Sequence, residues 1–87
     1  MKYIEWDPEK NERLLRERGI SFEVCAIKIE REDVVDILDN RNYPRQKTFV
    51  LEIKNYIYLI PFIEDDKKIF LKTVFPSRKF TRKYLKK

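Results

Sequence analysis

Lys47-Thr48-Phe49-Val50-Leu51-Glu52-Ile53-Lys54-Asn55-Tyr56-Ile57-Tyr58-Leu59-Ile60-Pro61-Phe62-Ile63 is the stretch from which the fold can be read. In its first half Phe49, Leu51 and Ile53 face one way while Thr48, Val50 and Glu52 face the other, the period of two of a strand with one strongly buried face. Its second half is apolar on both faces, with Tyr56, Tyr58, Ile60 and Phe62 opposing Ile57, Leu59, Pro61 and Ile63, as a central strand should be. The polar pair Lys54-Asn55 between them reads as a tight reversal. Pro61 has no N–H to give to a ladder, so a bulge or local break is expected beside it.

Working outward, β-branched and aromatic residues mark two further strands at 34–38 and 68–75. They are set off by the loop Asp39-Asn40-Arg41-Asn42-Tyr43-Pro44 and the turn Asp65-Asp66-Lys67, and the four strands are expected to form an antiparallel meander. Before them, residues 3–6 alternate like a short strand and then meet Asp7-Pro8, an N-cap followed by a proline suited to the first helical position. That helix should run to Gly19, a residue that tolerates a left-handed stop, with Glu12 and Arg16 spaced for an ion pair. Ser21 caps a second helix whose Phe22, Cys25, Ala26 and Ile29 form one apolar stripe. After Pro76, Ser77 caps a last short helix carrying Phe80, Thr81, Tyr84 and Leu85. The expected class is therefore α+β: a short strand and two helices, a meander of about four strands, and a C-terminal helix. Trp6, Phe22, Phe49, Phe62 and Phe70 are the expected aromatic core.

A chain of 87 residues can close one modest core, so residues 1–87 read as a single domain. With 43% apolar and 40% charged residues and no long apolar run, a water-soluble protein is expected, without membrane partner. The opening residues lack a secretory apolar core, which leaves the cytoplasm as the expected location. The single Cys25 reads as a buried thiol, and there is no histidine, so Ser-His, Cys-His and His-metal arrangements are excluded. One glycine excludes glycine-rich phosphate loops, and neither a metal nor a small-molecule cofactor is expected.

The charge is segregated. Residues 1–66 hold 11 basic and 15 acidic residues, net −4, whereas residues 67–87 hold 9 basic and no acidic ones, net +9. Those cations (Lys67, Lys68, Lys72, Arg78, Lys79, Arg82, Lys83, Lys86 and Lys87) are interleaved with Phe75, Phe80 and Tyr84, a mixture suited to phosphates and unpaired bases. A solvated strand and helix face with a frayed Lys86-Lys87 tail is the plainer alternative.

The order Ile4-Glu5-Trp6-Asp7, then Arg18-Gly19-Ile20-Ser21-Phe22-Glu23, then Ser77-Arg78-Lys79-Phe80-Thr81 resembles the BrnT family of toxins, itself similar to the RelE-type ribonucleases. The resemblance spans nearly the whole chain and implies a metal-independent endoribonuclease that inhibits translation and is silenced by a cognate antitoxin protein. Family members usually carry His where this chain has Arg18, and a glutamate where it has Tyr84. Lys47 stands in the region of a family arginine, Lys72 near the place of another, and Arg78 matches directly. The resemblance makes Arg78 a candidate catalytic residue; the chemistry of the reaction adds Lys72, Glu52 and Tyr84, and Lys47 with Lys79, Arg82 and Lys83 of the cationic end are the candidate RNA-binding residues. Metal-free RNA cleavage needs a base for the 2′-hydroxyl, cations on the phosphate and a proton for the leaving oxygen. Arg78 suits the phosphate, Lys72 or Glu52 the base, Tyr84 the leaving oxygen and Lys47 a second clamp. The competing reading is a non-catalytic nucleic-acid-binding or antitoxin-binding module on the same basic surface.

Overall fold

The computed structural model describes residues 2–86. In chain order the elements are β1 (Tyr3–Trp6), α1 (Pro8–Arg18), α2 (Phe22–Glu30), β2 (Asp36–Asp39), β3 (Gln46–Ile53), β4 (Tyr56–Glu64), β5 (Lys68–Leu71), β6 (Phe75–Pro76) and α3 (Arg78–Leu85). The protein is α+β, with one six-stranded mixed sheet. Strands β2 to β5 form the antiparallel meander, β1 adds to β5 in parallel, and β6 pairs with β4.

The caps explain where the helices begin and stop. Asp7, Ser21 and Ser77 each accept a backbone N–H from the first turn of their helix, and Gly19 closes α1 at φ +67°. Asn11 then binds α1 to α2, its side-chain oxygen accepting the Phe22 N–H at 2.7 Å. Glu12 and Arg16 do not form the expected ion pair. The β3–β4 reversal has Lys54 and Asn55 at φ +53° and +64°, two successive left-handed residues that match the twist of a two-residue hairpin.

Both sheet faces are covered, which corrects the expectation of a single strongly buried face. On one side α1 and α2 pack over Phe49, Leu51, Ile53, Ile60, Phe62 and Leu71, with Phe49 stacked on Phe62 at 4.0 Å and Trp6 on Phe22 at 5.9 Å. On the other, Val50, Ile57 and Leu59 are buried under Phe80, Tyr84 and Leu85 of α3. Full burial of such a side chain is worth about 1.5–3 kcal/mol, so this second core is what docks α3.

The expected strand 68–75 is broken in two. From Phe62 to Leu59 β4 moves three residues while its partner moves four, from Leu71 to Phe75, so one extra residue is accommodated in the Lys72-Thr73-Val74 segment. The break lies beside Pro61, whose carbonyl accepts the Lys72 N–H at 2.8 Å but which has no N–H to return. Phe70 is also displaced from its expected place: it lies on the α3 side, beyond the helix, and is 37% exposed. Among the described residues no helix is long and apolar enough to cross a membrane.

Candidate nucleic-acid interface

Two hydrogen bonds bolt the first turn of α3 to β4, and a third within the helix completes them. The Ser77 N–H donates to the Ile57 carbonyl at 2.9 Å, the Ile57 N–H donates to the Thr81 hydroxyl at 2.9 Å, and that hydroxyl donates to the Ser77 carbonyl at 2.7 Å. Thr81 is thereby a buried polar residue with both hydrogen-bonding capacities used. With Thr81 facing the sheet, the helical period directs the cations at 78, 79, 82 and 83 outward, and all four are exposed.

Arg78 and Arg82, one turn apart, face the β3–β4 reversal. With Lys54, Asn55, Tyr56 and Thr81 they line an open cleft of ≈ 400 Å³. Three cations line it, and among the described residues no carboxylate does. Guanidinium forks are chemically suited to bidentate contact with an oxyanion such as a phosphate, and an ammonium to a single charge contact.

Lys79 and Lys83 are organised differently. Their ammonium groups lie 5.8 and 5.7 Å from the centroid of Phe80, and Lys83 is also 5.4 Å from that of Tyr84. Phe80 and Tyr84 stack at 6.0 Å. The Tyr84 hydroxyl donates to the Asp36 carboxylate at 2.7 Å, so the end of α3 is tied to β2. This bond, with that from the Ile37 N–H, holds Asp36 below its ordinary carboxylate value, and the same bond to Asp36 raises the Tyr84 phenol above its own.

The remaining candidates divide. Glu52 is half-buried on the α3 side of the sheet, opposite Ile57 and therefore beside the residue that Thr81 holds. Lys72 is exposed in the bulge between β5 and β6 and has no ion-pair partner among the described residues. Lys47 lies on the α1–α2 side of the sheet, 3.9 Å from Glu64. That places it at the far end of β3 from Lys54, about 20 Å away by strand rise. Lys47 therefore does not share the cleft that Arg78, Arg82 and Lys54 line. Of the cationic C-terminal residues, Lys87 lies outside the described residues.

Lys54 and Tyr56 were not among the sequence candidates. The reversal at Lys54-Asn55 was legible, but its meeting with α3 depends on which sheet face the helix covers. Elsewhere, Arg18 donates to the Val74 carbonyl at 3.0 Å, which joins the end of α1 to the bulge segment. Among the described residues no three His, Cys, Asp or Glu side chains gather into a group that could hold a metal ion. No family model matches the chain, and neither a curated protein nor a solved structure does.

Proposed function

We propose that this chain is the toxin component of a type II toxin–antitoxin pair, a small metal-independent endoribonuclease acting on RNA in the cytoplasm to inhibit translation. The observation that carries the proposal is the cleft that Arg78, Arg82 and Lys54 line with no carboxylate among the described residues. The resemblance of the Gly19-to-Glu23 and Ser77-to-Thr81 segments to the BrnT family supports it, and so does the confinement of the +9 charge to residues 67–87.

In this reaction the ribose 2′-oxygen attacks the adjacent phosphorus, its proton passes to a base, the P–O5′ bond breaks, and the leaving 5′-oxygen takes a proton from solvent water. The products are a 2′,3′-cyclic phosphate and a 5′-hydroxyl. Arg78 grips the non-bridging oxygens as their charge grows, and Arg82 and Lys54 hold the strand on either side. Glu52, on the α3 side of β3, takes the 2′-hydroxyl proton. The cognate antitoxin competes for the same cations with acidic side chains. The test is induced expression with growth and translation as readouts. Wild-type protein arrests growth and Arg78→Ala does not, at equal protein level; a wild type without effect on growth contradicts the proposal.

One observation favours a second reading, a binding module of the same surface without turnover. The Tyr84 hydroxyl is engaged by Asp36 and the Lys47 ammonium lies near Glu64, so two of the candidate groups are committed away from Arg78. Salt-sensitive RNA binding with no cyclic-phosphate product selects this reading.

A further inference from the structure

Helix α3 covers only part of its sheet face. Beyond it the same face presents Phe75, Pro61, Ile63 and Phe70 on adjacent strands, because Phe75 pairs with Leu59 and Phe70 with Ile63. Tyr3 stands at the outer edge opposite Lys68. Pro61 is half-buried, whereas Phe75 is 36%, Phe70 37%, Ile63 39% and Tyr3 75% exposed, on a chain that buries Phe22, Phe49 and Phe62 almost completely. An apolar face of this kind calls for an occupant.

Its surroundings identify the chemistry. Lys79 and Lys83 stand over the Phe80 ring at the α3 border, and exposed Lys72 lies in the chain between Phe70 and Phe75. Lys68 is on the same face and is matched by Glu5 at 3.5 Å, while the far turn carries Asp65 and Asp66. Lys83 also acts on the Asp36 carboxylate of β2, so among the described residues the cations without an ion-pair partner on this side are Lys72 and Lys79. Exposed aromatic faces beside lysines fit a strand of alternating phosphates and unpaired bases. They fit neither an acidic peptide, which does not require rings at this spacing, nor a duplex, whose bases are stacked within it.

We propose that the open half of this sheet face is a base-stacking platform, with Phe70 and Phe75 as its stacking residues, so that the ligand of the cationic surface is single-stranded RNA. The inference rests on the RNA reading above and adds which RNA and which residues receive its bases.

The test uses the full chain, fluorescein-labelled single-stranded RNA 12-mers, the same length with central abasic sites, and a 12-base-pair RNA duplex, with affinity read by anisotropy. Stacking is worth about tenfold in affinity per base, so the abasic strand binds about tenfold or more weaker than the intact one. Phe70→Leu and Phe75→Leu, which keep an apolar side chain and remove the ring, abolish that difference while leaving the salt dependence unchanged. Phe70→Ala and Phe75→Ala do the same where the fold is retained by circular dichroism. Equal affinity for intact and abasic strands, or preference for the duplex, overturns the platform while the phosphate cleft stands. Loss of all RNA binding, with capture of an acidic protein by this face, overturns both.

Discussion

At the scale of single residues, Tyr84 and Asp36 make the clearest statement about pH. Asp36 is depressed by the Tyr84 hydroxyl, so the stabilisation it contributes is present above the ordinary carboxyl value of about 4 and is lost as pH falls through the lower folded value. Tyr84 is raised by the same bond, so its contribution is present below the ordinary phenol value of about 10 and is lost as pH rises through the higher folded value. A Tyr84→Phe variant should therefore melt below wild type by a constant margin between these limits, and the margin should vanish at both ends; a margin independent of pH throughout would show that the hydroxyl bond is not its source. Cys25 gives a second residue-scale prediction. Burial pushes its thiol up to about 12, so a disulfide reagent at pH 8 should leave the native protein unmodified and label it once denatured. Cys25 was legible as a buried thiol from its apolar neighbours. The partner of Tyr84 was not, because Asp36 lies 48 residues away and meets it only after α3 has crossed the sheet.

At the scale of elements, Thr81 is the point at which α3 is held. Replacing it with valine keeps the shape but leaves the Ile57 N–H buried without an acceptor, a loss of about 1–3 kcal/mol by chemical denaturation. Ser77→Ala removes the N-cap of the same helix and should lose about 1 kcal/mol. Gly19→Ala meets no atom within 4 Å of the added carbon, so only its φ of +67° opposes the change, again by about 1 kcal/mol. The three caps and the β3–β4 reversal were readable from the chain because each is a local event of a few residues. The one-residue shift beside Pro61 was readable as an interruption, since a missing N–H must be accommodated, although its position on the neighbouring strand was not. The parallel pairing of β1 with β5 left no local mark, as Tyr3 and Lys68 are far apart in the chain. The second buried face was legible on β4, apolar on both sides, but not on β3, where Val50 alternates with Thr48 and Glu52 and only the docking of α3 makes it core.

For the molecule as a whole, charge and topology act together. The sheet brings the chain's cationic end back onto itself: β5 and β6 run along β4, and α3 folds over the face they share. The charge of residues 67–87 was visible in the sequence, and Arg78 stood out there as a candidate. What the chain order conceals is that Lys54, from the acidic stretch 1–66, joins Arg78 and Arg82, whereas Lys47 stands near Glu64 on the other side. Binding of RNA should accordingly weaken steeply with salt, and the double variant Arg78→Ala/Arg82→Ala should reduce that slope by about 1.4 in log–log form, about 0.7 for each phosphate of a single strand no longer neutralised.

The central claim is that this surface cleaves RNA with Arg78 on the phosphate. It is tested most directly by incubating purified wild-type and Arg78→Ala protein with a labelled single-stranded RNA in EDTA and resolving the products. Fragments ending in 2′,3′-cyclic phosphate from wild type, and none from a folded Arg78→Ala, are the predicted result. Intact RNA with the wild type, or equal cleavage by both proteins, would contradict it.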